Sequence, residues 1–289
     1  MPTTERSSQR REDQGLRSRV ATRVRAEGSR ISSDSTAKGA NGIQAVGRAL
    51  DLLNLLVDGE WGVTEIGRSL RVNKSTASRL LSTMLARGFV ARNPITGSFR
   101  LGPRIAHLYQ AYLDNVRLIR EGSALIDRVA RDSGETVLLT LFQDGKAVYV
   151  DKVDSNHALR TSSRIGDEAP LHCGAAGKSI LAFLPVDEGR RLLGTGRLRR
   201  YTSHTIGSRA ALSRELASIR RQGYAWSDEE INVGVVGLGV PLLDWRGAPL
   251  GAISVTAPKM RLDATRRHQL VRILTMAAKD WRQGTHSVA

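Results

Sequence analysis

The residues that most resemble those of a reactive site lie in the segment from His172 to Ser179. Residues 174–179 read GAAGKS and end like a phosphate-binding loop, but such a loop needs another glycine five residues before the glycine of Gly-Lys-Ser. His172 occupies that position, so the pattern is broken. His172 and Cys173 are adjacent, yet adjacent side chains point apart in extended backbone, and no Asp or Asn is placed to orient the histidine. The sequence therefore predicts no catalytic residue and no nucleotide hydrolysis.

The same segment is better suited to binding a small anion. Small residues at the start of a helix leave the first backbone N–H groups exposed, and these groups can bind a carboxylate. Lys178, one turn into the helix, either contacts such a ligand or pairs with a structural acidic residue. Cys173 is predicted to be a small buried packing residue. Because it is the one cysteine in the sequence, an internal disulfide and a cysteine-rich zinc site are excluded, and no metal or cofactor is expected.

A second group of polar residues, in segment 74–87, has the spacing of a DNA-reading helix. One helical face, opposite the leucines, is shared by Lys74, Ser75, Ser78, Arg79 and Ser82. A helix fits the major groove of DNA, where arginine donates to guanine and serine bonds to a base or a phosphate. The predicted DNA contacts are Lys74, Ser75, Thr76, Ser78, Arg79 and Ser82, with Arg92 and Arg100 reaching the flanking DNA backbone. The alternative interpretation is an ordinary solvated face of a three-helix bundle.

The elements around this helix follow the order of a winged helix-turn-helix. Apolar residues recur at three- and four-residue steps, which predicts amphipathic helices, and a Pro/Gly turn between two β-rich runs predicts a hairpin. The predicted elements are helices 43–57, 63–70 and 74–87, with Asn73 as the N-cap of the third, and a hairpin, the wing, over 89–101. We assign residues 41–102 to this DNA-binding domain.

The rest of the chain predicts a linker helix and a larger α+β domain. Pro103 is well placed to open a helix, so residues 103–115 are assigned to a linker and residues 116–285 to a sensor domain. The Asp-Gly pair at 144–145 lies between apolar runs and predicts a hairpin turn. The other predicted elements are helices 116–131, 175–183, 210–222 and 264–281, and strands 136–142, 147–153, 159–163, 235–242 and 249–256. Hairpins among interleaved helices favour a largely antiparallel sheet.

The composition favours a partner that carries negative charge. Lys and Arg total 44 against 28 Asp and Glu, a formal net charge of +16. Such an excess indicates either a polyanionic partner or a solvated basic surface. Residues 1–40 hold nine basic and five acidic residues, a net of +4, and are predicted to be a disordered tail that either holds DNA through phosphates or has no role. No apolar run could span a bilayer and no secretory leader is visible, so we expect a cytoplasmic protein without a membrane partner.

Three stretches of the sequence resemble the IclR family of bacterial regulators. They occur in the family's order and spacing, and the resemblance covers residues 43–278. The first stretch is IQAVGRAL at 43–50 with KST at 74–76 and RLL at 79–81, the second is Gly166 with PLHCGAAGK at 170–178, and the third is RRQGY at 220–224 with DEE at 228–230, Gly234-Val235, Pro241 and AISV at 252–255.

The resemblance implies a sequence-specific DNA-binding transcriptional regulator with a GAF-like effector domain. Family members form dimers, often paired into tetramers, on a palindromic operator. They bind a small metabolite, often an organic or aromatic acid, and repression of a catabolic operon is the commoner mode. By similarity, the effector pocket is lined by Gly174, Ala175, Ser227, Gly237, Ser254 and Thr256.

Two of these positions depart from the family member that senses glyoxylate-type acids. Ser227 stands where that protein has an acidic residue, and Gly237 stands where it has a cysteine. Both changes remove bulk, so we expect a larger effector than glyoxylate or pyruvate, such as an aromatic acid or amide. Tyr224 and Trp226 either stack on this effector or belong to the core. One alternative is an enzyme fused to a DNA-binding domain, but the sequence shows no convincing set of catalytic residues. Another is a purely architectural DNA binder, but such a protein would not need the sensor domain.

Overall fold

The computed structural model describes residues 43–158 and 163–286, without the side chains of 284–286. These described residues form two compact units, and the division falls between Arg104 and Ile105. The predicted tail (1–40) lies outside the described residues, as do four of the five residues of the predicted strand 159–163.

The first unit has the predicted order of three helices and a hairpin. Its elements are α1 (Gln44–Leu56), α2 (Val63–Ser69), α3 (Lys74–Ala86), β1 (Val90–Arg92) and β2 (Phe99–Leu101). The amphipathic helices bury one face each, and the core they share includes Leu52, Ile66, Ala77, Leu81 and Val90. The two strands pair antiparallel and form the predicted wing. This unit is a winged helix-turn-helix.

Local backbone chemistry sets the start of α3. The Asn73 side chain accepts a hydrogen bond from the Thr76 N–H at 2.8 Å, which confirms the predicted N-cap. Arg71, in the turn before it, adopts a φ of 54°, a left-handed conformation that non-glycine residues seldom take. The turn between α2 and α3 is therefore tight, and α3 begins directly after the Asn73 cap.

The second unit is an α+β domain built on one sheet. Its helices are α4 (Arg104–Asn115, whose first residue belongs to the first unit), α5 (Arg117–Ser133), α6 (Ala175–Phe183), α7 (Val186–Leu192), α8 (Arg209–Gln222) and α9 (Ala264–His286). Its strands are β3 (Thr136–Gln143), β4 (Lys146–Val153), β5 (Glu168–Ala169), β6 (Ala225–Asp228), β7 (Val235–Leu243) and β8 (Pro249–Pro258), and a 3₁₀ turn spans Lys259–Arg261. The sequence did not predict β5, β6 or α7.

All neighbouring strands of the six-stranded sheet pair antiparallel, in the order β5-β4-β3-β8-β7-β6. The α+β class with a largely antiparallel sheet is therefore confirmed. Asp144 and Gly145 join β3 to β4 with φ values of 52° and 77°, the two positive values that a tight hairpin turn requires.

The two faces of this sheet differ in chemistry. One face carries large apolar side chains that pack with α5 and α9 in the main core, including Val137, Leu139, Leu238, Ile253 and Val255. The other face, under α6, carries small and polar residues. A β-carbon on Gly239 would lie 2.8 Å from the backbone carbonyl carbon of Ala175, so only glycine lets α6 approach β7 this closely.

Candidate DNA-reading helix and effector site

The polar face of α3 is open to solvent. Ala77, Leu81 and Met84 point into the core of the first unit. The exposed side chains on the opposite face are those of Lys74, Ser75, Ser78, Arg79 and Ser82. Five of the six residues predicted on this helix therefore present side chains that an incoming duplex could reach.

Two residues at the start of α3 also serve the cap. The Ser75 hydroxyl donates to Asn73 Oδ1 at 2.8 Å, and the Thr76 backbone N–H donates to the same oxygen. Thr76 is half-buried. The Ser75 hydroxyl can still accept a hydrogen bond, while Thr76 is better placed to support the helix start than to read a base.

The two predicted wing arginines lie on opposite faces of the hairpin. In the strand register Arg92 pairs with Phe99 and Arg100 pairs with Ala91, and directly opposed residues share a face. The Arg92 guanidinium lies 5.8 Å from the Phe99 ring centre and its Nε donates to the Gly97 carbonyl at 3.4 Å. Arg92 is thus partly engaged with the wing itself, whereas Arg100 extends from the outer face.

The six predicted effector residues lie together under the N-terminus of α6. The strand register aligns Ser227 with Gly237 and Gly237 with Thr256, and it aligns Gly239 with Ser254, so these residues share one face of the sheet. A β-carbon on Gly237 would lie 3.3 Å from Ala175 Cβ, which places the helix start directly over this row. Ser227 and Ser254 are buried and Thr256 is half-buried.

A further polar residue on this face escaped the sequence analysis. Thr140 is fully buried, and its Oγ1 has no hydrogen-bond partner among the described residues. It aligns with Ala252 of β8 and with Tyr149 of β4, whose phenol pKa burial raises to about 12. A buried hydroxyl without a partner costs free energy, which makes Thr140 a candidate ligand contact. The signal was a threonine inside the apolar run of β3.

Lys178 is an ion-pair partner inside the protein. Its Nζ lies 2.5 Å from Glu230 Oε1, 3.0 Å from Glu215 Oε1 and 2.6 Å from the Trp226 carbonyl oxygen, and its side chain is 1% exposed. The other oxygen of Glu230 accepts from the Gly174 N–H at 3.0 Å. Of the two interpretations left open above, the structural pairing is the one observed. The Gly174 N–H, at the helix start that was expected to face a ligand, is therefore bonded to Glu230.

The neighbouring His172 and Cys173 have the surroundings of packing residues. Cys173 is fully buried, and burial, with the nearby Glu230 carboxylate, raises the pKa of its thiol to about 12. A thiol that stays protonated is a poor nucleophile. His172 Nε2 lies 2.7 Å from the Arg199 carbonyl oxygen, to which it can donate. The geometry supports the packing interpretation of Cys173.

Tyr224 and Trp226 do not face the effector site. Trp226 alternates with Ser227 along β6 and therefore points to the opposite face of the sheet. Both aromatic side chains pack against the main core, and the Arg267 guanidinium lies 4.3 Å from the Trp226 ring centre. They line a separate cleft of about 430 Å³ beside α9. Both rings pack in the core, which is one of the two alternatives, and neither can stack on a ligand held by the predicted effector residues under α6.

A winged helix-turn-helix joined to a second unit with a small-residue site is the architecture of a ligand-responsive DNA-binding regulator. Residues 45–94 match the family described as "IclR helix-turn-helix domain", and residues 110–282 match "Bacterial transcriptional regulator IclR C-terminal". The chain therefore belongs to the IclR family of transcriptional regulators, which bind DNA and small-molecule effectors and are not enzymes.

Individual relatives agree with this membership. The HTH-type transcriptional regulator KdgR of Dickeya chrysanthemi is 34% identical over 221 residues, which cover 76% of this chain and 72% of that protein. The transcriptional repressor IclR of Escherichia coli (strain K12) is 30% identical over 250 residues, covering 85% and 91%. The solved structure of an IclR homolog complexed with 4-hydroxybenzoate, from Microbacterium hydrocarbonoxydans, is similar with a TM-score of 0.71 at 25% identity, covering 84% and 98%.

Within residues 43–158 and 163–286, no group of three or more His, Cys, Asp or Glu is arranged to hold a metal ion. In the same ranges, no helix has the length and apolar character needed to cross a membrane.

Proposed function

We propose that this regulator is a sequence-specific repressor of a catabolic operon, released or retained on DNA by a small organic effector. The exposed row on α3 carries the DNA half of the proposal, because Arg79 and Ser78 are the side chains in the right place to meet base edges. The repressor assignment is supported by the relative named as a repressor. Residues 41–102 read the DNA, residues 103–115 link the domains, and residues 116–285 sense the effector.

The protein acts on DNA as a homodimer, or as a tetramer of two dimers, on a palindromic operator. Exposed apolar rows support this assembly. At the N-cap of α1 and along the helix, the side chains of Ile43, Val46 and Leu50 are 73%, 53% and 57% exposed. In addition, α4 buries none of its residues and exposes Leu108 and Tyr112. Contiguous exposed apolar side chains are typical of protein–protein interfaces, and two-fold symmetric dimers bind two-fold symmetric sites.

The effector is an aromatic acid or amide. Ser227 and Gly237 carry less side-chain bulk than the acidic residue and the cysteine that stand there in the family member that senses glyoxylate-type acids. A relative of the same fold has been solved in complex with 4-hydroxybenzoate, an aromatic acid of the proposed class. Lys178 is already paired with two carboxylates, so it does not supply the counter-charge for an acid. The first-turn backbone N–H groups of α6 after Gly174 have no partner within the helix and are the groups that bind the polar end of the ligand.

Effector binding changes DNA affinity by favouring one of two arrangements of the dimer. The start of α6 closes over the ligand, and the linker α4 carries the change to the spacing of the two α3 helices. Because the two sites are coupled thermodynamically, the effector must change operator affinity by the factor by which the operator changes effector affinity. Coupling of this kind is typically about 5- to 150-fold.

The test is a fluorescence anisotropy titration of a labelled operator duplex with the full-length protein. The titration is repeated with 4-hydroxybenzoate, benzamide, glyoxylate or pyruvate present. An aromatic ligand should shift the DNA dissociation constant within the coupling range given above, and calorimetry of the same ligand with and without operator should return the same factor. Tight calorimetric binding of glyoxylate or pyruvate, with no response to either aromatic ligand, would contradict the assignment of the effector class.

A further inference from the structure

A carboxylate holds the wing of the DNA-binding unit. Glu60 lies between α1 and α2, and its Oε2 accepts hydrogen bonds from Ser98 Oγ at 2.5 Å and Asn93 Nδ2 at 2.9 Å. Thr96 Oγ1 lies 3.5 Å from the same oxygen. These three partners all belong to the turn that joins β1 to β2. One side chain from a distant loop therefore holds both ends and the middle of the wing turn.

The other contacts of the wing turn are polar and lie within the wing itself. The Asn93 N–H donates to the Ser98 carbonyl at 2.8 Å, and the Gly97 N–H donates to the Asn93 carbonyl at 2.9 Å. Asn93 Oδ1 accepts from the backbone N–H groups of Ile95 at 2.9 Å and Thr96 at 3.3 Å, which are contacts within the turn. Ile95, at its tip, is 93% exposed. Since no buried apolar side chain anchors the tip, polar contacts decide its conformation.

The backbone next to Glu60 fixes the base of the wing. Trp61 and Phe99 exchange two backbone hydrogen bonds, each 2.9 Å, so Trp61 pairs with β2 as a short third strand. This pairing places Glu60 at the hairpin whatever its side chain does. The side chain then adds the contacts to Asn93, Thr96 and Ser98 that join the turn to the rest of the unit.

A negative charge at this place is unfavourable for DNA binding unless it has another role. Phosphate contacts supply most of the non-specific affinity for DNA, and a carboxylate near them opposes it. Hydrogen bonds from Ser98 and Asn93, and the positive charge of Arg100, hold the pKa of Glu60 below its usual range, so the carboxylate is ionised at neutral pH. The free protein therefore carries this charge when it meets DNA.

We propose that Glu60 is a positioning residue for DNA binding: it fixes the wing turn so that Arg100, on the adjoining strand, meets the DNA backbone. This proposal rests on the proposed wing contacts of the regulator. It assigns Glu60 a favourable effect on affinity that exceeds the repulsion between its carboxylate and the phosphates.

The two possible roles of Glu60 predict opposite signs. If the carboxylate only repelled phosphates, then removing it would strengthen DNA binding. If it orders the wing, then Glu60→Ala should weaken binding roughly 10-fold, the lower end of the scale of one lost charge-assisted hydrogen bond. Glu60→Gln keeps an acceptor oxygen and should lie between wild type and Glu60→Ala.

The probe for the experiment is a 30-bp duplex, roughly three helical turns, selected by the wild-type full-length protein from a random-sequence pool. Dissociation constants are measured by anisotropy for wild type, Glu60→Ala, Glu60→Gln and Ser98→Ala. Asp51→Ala is the matched control, because Asp51 is an exposed carboxylate in α1 with no hydrogen bond or ion pair among the described residues. Amide hydrogen exchange of residues 93–98 and of α3 is followed in each variant.

Support requires weaker binding by Glu60→Ala and by Ser98→Ala, faster exchange confined to the wing, and no weakening by Asp51→Ala. Ser98→Ala removes the 2.5 Å contact to Glu60, together with the Ser98 contact to Thr96 within the turn, without changing charge, so it provides a second reading if Glu60→Ala folds poorly. Binding by Glu60→Ala and Ser98→Ala that equals or exceeds that of wild type would overturn the proposal. Arg100→Ala separates a failure of the wing contact from a failure of DNA reading by α3. If Arg100→Ala binds like wild type while Arg79→Ala does not, then the wing contact has failed and DNA reading by α3 has not.

Discussion

Replacing Lys178 with methionine should destabilise the second unit severely. The substitution keeps the length and apolar stem of the side chain but leaves Glu230, whose side chain is 8% exposed, without its cation. Removing one partner of a buried ion pair costs about 3–5 kcal/mol, because the remaining charge stays desolvated. Glu215 is 32% exposed and contributes little to this figure. For a unit of this size, the loss corresponds to a melting temperature lower by roughly 6–20 °C.

The assay is urea unfolding of the full-length protein, followed by tryptophan fluorescence and by circular dichroism. The Glu215→Gln variant is the control, since it removes the solvent-exposed partner of the same lysine and should cost less than about 1 kcal/mol. The double variant Lys178→Met with Glu230→Gln should recover part of the loss, which measures the coupling of the pair. A loss below about 1 kcal/mol for Lys178→Met alone would refute the reasoning, because it would show that Glu230 is not held as a buried charge.

Three further predictions concern the effector site, the cysteine and the start of α3. Gly237→Val should abolish effector binding measured by calorimetry while the operator affinity without effector stays unchanged, because its side chain would project against Ala175 Cβ; effector binding equal to that of wild type would place the ligand elsewhere. Cys173 should react with a thiol reagent only after unfolding, and rapid labelling of the native protein would contradict this. Because burial raises the folded-state pKa of the thiol to about 12, its contribution to stability should be present below about pH 8.5 and should disappear as the pH rises toward about 12. Lys74→Ala should lower the salt dependence of DNA binding by about one unit of slope, measured over a salt series; an unchanged slope would remove Lys74 from the phosphate contacts.

The elements that sequence reasoning placed well are those with strong local signals. Helix α6 begins and ends where its small N-terminal residues and apolar run predicted, and the Asp144-Gly145 turn needs positive φ values that this pair adopts readily. Strand β6 was missed because four residues at the edge of a sheet carry too little periodicity, although Trp226 and Ser227 do alternate in burial.

The contacts that define each site depend on residues far apart in the chain. The partners of Lys178 lie 37 and 52 positions away, so the sequence could not decide between a ligand contact and an ion pair. The partners of Glu60 lie 33 to 38 positions away, and nothing local marked that residue. The face of Trp226 likewise required the strand register. Side-chain chemistry was readable from the sequence, but the pairing of those side chains required the fold.

The most direct test of the account is footprinting of the DNA upstream of the protein's own gene, with excess competitor DNA, using wild type and Arg79→Ala. The account predicts a protected palindrome that the wild type retains in competitor and that Arg79→Ala loses, with affinity lower by about 1–3 kcal/mol, or roughly 5- to 150-fold. Arg87, exposed at the end of α3 outside the polar row, provides the matched control, and Arg87→Ala should leave the footprint intact. Protection that competitor abolishes, and that Arg79→Ala leaves unchanged, would contradict sequence reading by α3.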